Sequence, residues 1–391
     1  MICKKERITI LLGAGAAVPI GGPTTQFITD QIRIDDTKNL IPSFINQIYL
    51  KLNKFQNGAT NFEDILHAVE SLISYKTSTY PKAQKNYKPP LAEFTKIKNS
   101  IFFEEKSLKR AQNYIIKCIS DIIYQYEINY KSNLWYVNFW KKLSQKYYLD
   151  IFNLNYDNIL NEIIPESDDG YENSIPAKFD PKLLYLSKKH RICNLHGSIK
   201  LFNPDPKTYN KYFLQLNTDD LWKHDSYSNA KQESTYSNRH TQTGDQIARS
   251  PIIVGLRKTD KLISYPFSEY NTFFHNSIFK NSKLLIIGYS FGDLYLNALL
   301  EKFNYIHSNK RKIAIVDYLP TYIRWNNSIK AMRWPNDNML SVIFRMFNEQ
   351  DPFKKHYIQP DFLTSNDERA SLYLKGFQNS ISENWIFEKL K

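Results

Sequence analysis

A glycine turn near the start of the chain is the first segment that could bind a ligand. Gly13, Ala14 and Gly15 follow a short apolar run, Ile8 to Leu12, and precede a helix that is predicted to begin near residue 24 or 25. Glycines permit a tight turn and let backbone N–H groups approach a pyrophosphate, whose charge a helix N-terminus favours. Residue 18 is valine, so the full G-x-G-x-x-G pattern is not met. From this motif alone, a plain strand-to-helix turn is an equal alternative.

Asn155 and Asp157 form a second group, directly after the apolar run Leu149 to Leu154. In open α/β sheets, ligands bind beyond the carboxyl ends of the strands. The Asn155 amide can hydrogen-bond sugar hydroxyls or hold a water, and Asp157 can accept from the N–H₂ of a carboxamide. For Asp157, an Asx turn that caps the next helix is an equal alternative, and for Asn155 the same alternative carries less weight.

His196 is the histidine whose setting favours chemistry. It follows the apolar run Ile192 to Leu195 and precedes Gly197, which leaves its ring uncovered at a strand end. Imidazole titrates near neutral pH and can act as a general base or acid. A lone histidine at a strand end is usually structural, but the edge that it shares with Asn155 favours a functional role. The other seven are predicted to be structural or solvated: His67, His190, His224, His240, His275, His307 and His356.

A second strand, glycine turn and helix pattern begins with the apolar run Leu284 to Ile287. Ser290 and Asp293 have capping-box spacing ahead of the next apolar stretch, which predicts a capped helix with Ser290 as the capping residue. Gly288 and Ser290 are candidates for a second phosphate or ribose contact. Asp317 ends a further apolar run, where a carboxylate suits ribose hydroxyls. A loop or cap aspartate is an equal alternative for Asp317.

The elements that must position these residues indicate an open α/β fold. Short and nearly continuous apolar runs predict strands that are buried on both faces, the pattern of a parallel sheet. The predicted strands are Ile8 to Leu12, Leu149 to Leu154, Ile192 to Leu195, Ile252 to Val254, Leu284 to Ile287 and Ile313 to Val316. Helical stretches at 159–164 and 294–303 supply the crossovers. The predicted fold class is therefore α/β, with an open, mostly parallel Rossmann-like sheet.

The chain divides into three predicted parts. Residues 1–33 and 146–330 form the Rossmann-like domain. Residues 34–145 contain amphipathic segments with helical spacing, which predict a helical insertion that a Lys/Pro-rich loop at 76–90 interrupts. Residues 331–391 form a C-terminal extension whose aromatic residues mark a candidate assembly surface. The polar stretch 223–250 is predicted to be a mobile loop or lid.

Composition excludes several classes of protein. The 391 residues are 42% hydrophobic, enough for a core, and no apolar segment is long enough to span a membrane. The three cysteines form no C-x-x-C pair, which excludes a disulfide framework and a four-thiolate zinc site and fits a cytoplasmic location. The formal charge of +13 is spread along the chain, so it is weak evidence for direct binding of nucleic acid.

Four motifs, in their order along the chain, resemble the sirtuin-like NAD-binding domain. They are the glycine turn, N-Y-D at 155–157, L-H-G at 195–197 and G-Y-S-F-G-D at 288–293. The resemblance covers roughly residues 8 to 320 and is closest to bacterial antiphage-defence members that hydrolyse NAD. It implies that Asn155 and His196 are the catalytic pair and that Asp157 contacts the nicotinamide carboxamide. It also implies that five residues hold the pyrophosphate and the adenosine side: Gly13, Ala14, Gly15, Gly288 and Ser290.

The activity that the resemblance implies is NAD+ glycohydrolysis, with NAD as the substrate, nicotinamide and ADP-ribose as products, and no structural zinc. Deacetylating sirtuins carry a four-cysteine zinc module and a serine where this chain has Ala17, so acetyl-lysine chemistry is not expected. The resemblance further implies NAD depletion in antiphage defence, a homo-oligomer, and a HerA-like ATPase as a partner. The alternatives are a non-hydrolytic NAD or ADP-ribose sensing module, an ADP-ribosyltransferase and a nucleic-acid-binding subunit.

Overall fold

The structure is a computed structural model that describes residues 5–34, 40–55, 60–76, 104–204, 220–233, 251–253, 262, 265–318, 337–348 and 361–391. Within these ranges, no helix is long and apolar enough to cross a membrane. Several segments singled out in the sequence lie outside the described residues: 77–90 of the Lys/Pro-rich loop, 234–250 of the predicted lid, Val254 and Trp334.

The strands meet the expectation of an open, mostly parallel sheet. They are β1 (Arg7–Leu12), β2 (Tyr148–Asn153), β3 (Arg191–Asn194), β4 (Leu201–Phe202), β5 (Trp222–Lys223), β6 (Lys283–Ile287), β7 (Lys312–Val316), β8 (Phe362–Thr364) and β9 (Ala370–Tyr373). Among the described residues, seven of them form one sheet in the order β3-β2-β1-β6-β7-β9-β8. Every neighbouring pair is parallel except β8 and β9, which are antiparallel. The fold is therefore an α/β fold of the Rossmann-like kind.

Helices flank this sheet, and they are numbered here over the described residues. They are α1 (Thr25–Gln31), α2 (Leu40–Phe55), α3 (Phe62–Lys76), α4 (Glu105–Glu127), α5 (Leu134–Lys146), α6 (Ile159–Ile163), α7 (Pro181–Tyr185), α8 (Tyr227–Ala230), α9 (Phe267–Lys280), α10 (Leu294–Leu300), α11 (Phe303–His307), α12 (Asp337–Phe347), α13 (Phe377–Ser382) and α14 (Trp385–Lys389). The predicted helix at 294–303 is thus two shorter helices, α10 and α11.

The range predicted to be a helical insertion contains a layer in which α2, α3 and α4 contact one another. Apolar residues at helical spacing on α3 are buried, among them Ile65, Leu66 and Val69, as the amphipathic pattern predicts. The layer also holds the start of the predicted lid, because the Tyr227 hydroxyl of α8 donates a hydrogen bond to Asp121 of α4 (2.9 Å). One apolar core includes this layer and one face of the sheet.

Two predictions about the strands are wrong. Ile252 does not belong to the parallel sheet and instead makes a single antiparallel bridge with Gly197, because this segment runs across a loop at the strand ends. The range 331–391 contributes β8 and β9 to the main sheet, although it was expected to extend beyond it.

The aromatic residues of the C-terminal range also have a different role from the one expected. Phe377, Trp385 and Phe387 are buried within the chain, so these rings do not form an exposed assembly surface. Phe377 packs edge-on against Phe139 of α5 at a centroid distance of 5.2 Å, and Phe387 contacts the same ring at 5.8 Å. The C-terminal helices therefore complete the core. The division into three parts remains a proposal.

A buried ion network joins the amino-terminal halves of β1, β2 and β3. Asp150 of β2 is 1% exposed and accepts hydrogen bonds from Arg7 on one side (2.7 Å) and from Arg191 on the other (2.7 and 2.9 Å). Ser277 and Asn281 donate to its second oxygen at 3.1 and 3.0 Å. One carboxylate thus fixes three neighbouring strands and the end of α9.

Replacing Asp150 with Asn should destabilise the protein, because the shape is kept while two arginines lose their counter-charge. Breaking a buried pair from one side typically costs about 3–5 kcal/mol of unfolding free energy. Urea denaturation followed by circular dichroism measures this. The control is Asp30→Asn, since Asp30 is 53% exposed and pairs with Arg33 on the surface, where the expected cost is below about 1 kcal/mol. Equal costs for the two variants would contradict the assignment.

Candidate functional site

The strand register brings the four motifs to one edge of the sheet. One row of paired residues crosses it: Asn194, Asn153, Leu12, Ile287, Val316 and Tyr373. Three motifs begin directly after their member of this row, and N-Y-D begins two positions after Asn153. Asn155 and His196 each lie two positions beyond the neighbouring pair Asn153 and Asn194. The parallel alignment therefore places the two predicted catalytic residues at equivalent positions beyond adjacent strands.

The glycine turns after β1 and β6 are interlocked. Gly13 N donates to Ile287 O (2.9 Å), and Gly15 N donates to Gly288 O (3.0 Å). A Cβ added at Gly13 would lie 2.3 Å from Gly288 O, and one added at Gly288 would lie 2.3 Å from Ala16 N. Gly288 also has a φ of +59°, in the left-handed region. These glycines are needed for the contact between the two turns. The reason suggested by the sequence was a different one, the approach of the backbone to a pyrophosphate.

The first glycine turn does not lead straight into an α-helix. Residues 14–16 and 18–20 form two short 3₁₀ turns, and α1 begins at Thr25, ten positions after Gly15. Thr24 caps α1 by accepting from Phe27 N, so the predicted start near 24 or 25 is confirmed. The Ala14 and Gly15 backbone is exposed at the edge of the sheet, well ahead of that helix. A pyrophosphate contact here would therefore be made by the turn itself.

Asn155 bridges the second motif to the first. Its Nδ2 donates to Gly13 O (3.2 Å), and its own N–H donates to Asn153 Oδ1 (3.0 Å). The side-chain amide is thus fixed in orientation, with Nδ2 directed at the glycine turn. Partly buried Asn155 keeps some exposure at the open edge, whereas its neighbours on either side are buried.

Asp157 forms the Asx turn that the sequence left open as an alternative. Its Oδ1 accepts from Ile159 N (3.1 Å), and the Tyr126 hydroxyl lies near its carboxylate. The residue is 4% exposed, and this burial raises the pKa of its carboxyl, while the nearby Tyr126 hydroxyl and the hydrogen bond from Ile159 N act in the opposite direction. A direct contact of Asp157 with a carboxamide stays a prediction.

The loop that carries His196 is held from both sides by residues 251–253. Ile253 N donates to His196 O (2.7 Å), and Ser198 N donates to Pro251 O (3.1 Å). Gly197 has a φ of +87°, and a Cβ there would lie 2.0 Å from Pro251 O. The glycine after the histidine therefore admits this clamp. The segment predicted to be a strand instead fixes the candidate base.

His196 faces a carboxylate from the fourth motif. Its Nε2 lies 3.6 Å from Asp293 Oδ2, and the two side chains are 13% and 15% exposed. The strands β3 and β6 that precede them are three strand spacings apart, about 14 Å. The loops must therefore close over the ends of β2 and β1 to bring these side chains together. A base beside an orienting carboxylate is an arrangement that suits proton transfer.

Asp293 rather than Ser290 caps the helix that follows β6. Its Oδ1 accepts from Tyr295 N (3.0 Å) and Leu296 N (3.3 Å), so the capping role predicted for Ser290 is wrong. Phe291 is fully buried with a φ of +56°, which turns the chain before the helix can start. Ser290 is left exposed beside this turn.

Asp317 lies farther along the same edge, directly after β7. Burial raises its pKa to about 6, although a hydrogen bond from Tyr318 N (2.8 Å) favours the charged form. It is separated from Asn155 by the ends of β1 and β6. Within the described part of the chain, no three His, Cys, Asp or Glu side chains form a metal site.

Glu127 is a residue of this region that sequence reasoning missed. It ends α4, is 5% exposed, and accepts from Asn158 N through Oε2 (3.3 Å). Burial raises the pKa of Glu127 to about 7, the Asp157 carboxylate adds to the rise, and Lys200 opposes it. The sequence feature that could have indicated the burial of Glu127 is its position eight residues after buried Ile119, on the same face of the helix.

Replacing Gly288 with Ala should destabilise the protein strongly. The left-handed backbone costs about 1–2 kcal/mol for alanine, and the clash with Ala16 N adds about 1–3 kcal/mol. Gly21→Ala is the matched control, because Gly21 has a φ of +93° and nothing within 4 Å of an added Cβ. The expected loss of unfolding free energy in Gly21→Ala is the backbone term alone, about 1–2 kcal/mol. Urea unfolding of both variants measures the difference, and equal losses would show that the interlock is not tight.

The comparisons with known proteins agree with this geometry. Residues 150–343 match the family model of the SIR2-like domain. The matched range begins in β2 and includes Asn155, Asp157, His196, Gly288 and Ser290, whereas the first glycine turn precedes it. No curated protein matches the chain. The match and the sheet that carries its motifs identify residues 150–343 as a SIR2-like domain.

Proposed function

We propose that this protein is an NAD+ glycohydrolase that cleaves the bond between nicotinamide and ribose. The observation that carries the proposal is the pairing of Asn155 and His196 at equivalent positions beyond β2 and β3, inside a SIR2-like domain. SIR2-like domains fit NAD-dependent chemistry. The exposed turn at Ala14 and Gly15 and the loop at Gly288 and Ser290 lie on the same edge and suit the rest of a dinucleotide.

The reaction requires little covalent chemistry from the protein. The electron pair of the glycosidic bond moves onto the pyridine nitrogen, which neutralises the ring and leaves an oxocarbenium-like ribose. Water then adds its oxygen to the ribose and releases one proton. The products are nicotinamide, ADP-ribose and that proton. The protein must therefore orient the sugar, place the water and accept the proton.

Asn155 and His196 supply these tasks in the proposed mechanism. Because Asn155 Nδ2 is directed at Gly13 O, its Oδ1 is the atom that accepts from a ribose hydroxyl or from the water. His196 takes the proton. The Asp293 carboxylate, 3.6 Å from Nε2, stabilises the imidazolium that forms. Asp317 suits ribose hydroxyls on the adenosine side, and Asp157 is proposed to approach the carboxamide.

The biological setting that we propose is NAD depletion in antiphage defence within the cytoplasm. The support for this is the resemblance of the four ordered motifs to defence members of the superfamily. An enzyme that destroys NAD must be restrained until it is needed. We therefore propose control by self-assembly and by a HerA-like ATPase.

Asn155→Ala and His196→Ala should each lower NAD turnover by about 10²- to 10⁴-fold, the usual range for loss of a general base or of an orienting group. Nicotinamide and ADP-ribose are quantified by chromatography, and NAD affinity is measured by calorimetry. His275→Ala is the control, since His275 lies on α9, whose end contacts Asp150 in the amino-terminal half of β2.

Three outcomes would point elsewhere. Full turnover in either site variant would contradict the assigned roles. NAD binding without nicotinamide release would indicate a sensing module. Transfer of labelled ADP-ribose to protein would indicate a transferase. The measurement is made on the purified chain alone and again with candidate ATPase partners, so that a restrained enzyme is not mistaken for an inactive one.

Asp293→Asn separates the two tasks of Asp293. Asparagine is as good an N-cap as aspartate, so the free energy of unfolding should change by less than about 0.5 kcal/mol. The charge beside His196 is lost, however, and kcat should fall by about tenfold or more. Asp293→Ala should lose both kcat and about 1 kcal/mol of stability. Unchanged kcat in Asp293→Asn would remove Asp293 from the mechanism.

A further inference from the structure

The carboxyl end of α4 contacts the loop that carries Asn155. Tyr126 and Glu127 are the last two residues of this helix, and they face two consecutive loop residues. Glu127 accepts a hydrogen bond from Asn158 N through Oε2 (3.3 Å), and the Tyr126 hydroxyl lies near the Asp157 carboxylate and favours its charged form. A helical layer that is remote in sequence thus contacts the candidate catalytic loop through two adjacent side chains.

This contact is buried on both sides. Glu127, Asp157 and Asn158 are each at most 5% exposed. Burying two carboxylates close together opposes folding, because each loses hydration and repels the other. The charged groups that act on Glu127 are Asp157, Glu162 and Lys200, of which only Lys200 is favourable. A well-packed apolar pair would stabilise this junction more, so stability alone does not account for an acid here.

The contact extends from the Asn155 loop to the His196 loop. Asn158 Oδ1 accepts from Ser198 Oγ (2.8 Å), and Ser198 is two positions after His196. The path Glu127, Asn158, Ser198 is therefore a continuous set of hydrogen bonds that spans both loops. Asn158 Nδ2 is buried and has no hydrogen-bond partner among the described residues. The segment therefore relies on its remaining contacts for its shape.

We propose that Tyr126 and Glu127 are positioning residues that hold the segment 155–158, and through Ser198 the loop of His196, in the geometry needed for catalysis. The inference rests on the proposed function for its catalytic part. It assigns the helical layer a direct role in the reaction, because α2 and α3 pack against α4 and set where the helix ends. Displacement of α4 would release both loops together.

Turnover measurements on the full chain test the catalytic part. Tyr126→Phe and Glu127→Ala should lower kcat by about 10- to 100-fold with little change in KM, since a small misplacement of reacting groups can cost that much. Glu127→Gln keeps an oxygen acceptor for Asn158 N and should recover most of the lost kcat. A residue that only fills the core would not show this rescue by the isosteric amide.

Two matched controls separate positioning from general destabilisation. Tyr130→Phe removes a nearby buried hydroxyl that bonds Glu162 (3.2 Å) instead of the catalytic loop. Glu70→Ala removes a buried acid of the same layer, which accepts from Gln112 (3.3 Å). Both controls should retain kcat. If they lose as much kcat as Tyr126→Phe and Glu127→Ala, the proposal is overturned.

Amide hydrogen exchange tests the positioning without relying on turnover. Exchange at residues 155–159 should become about tenfold faster in Glu127→Ala and Tyr126→Phe, as expected when a local anchor is lost. It should stay unchanged in the two controls. Unchanged exchange in both test variants overturns the proposal, and Tyr126→Phe decides it alone if Glu127→Ala does not fold. If the unmodified chain releases no nicotinamide, the proposed function fails, whereas the exchange result still decides whether α4 holds the loop.

Discussion

The close backbone contact between the turns after β1 and β6 is the constraint on which the site depends. Gly15 N donates to Gly288 O across this contact, and side chains at Gly13 or Gly288 would force the turns apart. Gly13 O is also the acceptor that orients Asn155. The loop after β6 in turn ends at Asp293, which faces His196. Separation of the two turns would therefore disturb both predicted catalytic residues, although neither belongs to a glycine turn.

The two ends of the sheet have opposite electrostatic character. At the amino ends, Arg7 and Arg191 neutralise Asp150 in a closed network. At the carboxyl ends, Asp293 and Asp317 remain near the open edge, in a chain of net charge +13. In the proposed glycohydrolysis, the Asp293 carboxylate favours the positive charge that develops on ribose during cleavage. The basic surplus of the sequence therefore does not describe the site itself.

Local patterns in the sequence predicted the parts of the fold that local forces determine. Apolar runs marked β1, β2, β3, β6 and β7 to within one residue, because strands buried on both faces admit few polar side chains. The shared edge of Asn155 and His196 followed from parallel pairing alone. The amphipathic stripe of α3 was equally clear.

The errors arose where distant contacts decide the outcome. The helix cap moved from Ser290 to Asp293 because Phe291 is buried in the core with a positive φ, which no local pattern announced. Residues 251–253 form a clamp because their backbone groups pair with those of the His196 loop, which is distant in sequence. Glu127 was missed because its partner is the backbone of Asn158, thirty-one positions away.

The contact of Glu127 with Asn158 also restricts how the helix α4 can move. Asp121 and Glu127 are six residues apart on the same helix, so they are separated by about 9 Å along its axis and lie on faces about 120° apart. Asp121 holds Tyr227 of α8, while Glu127 holds the loop of Asn155. Neither rotation of α4 about its axis nor translation along it preserves both contacts. The helix therefore has one position in which it contacts the predicted lid segment and the Asn155 loop at the same time.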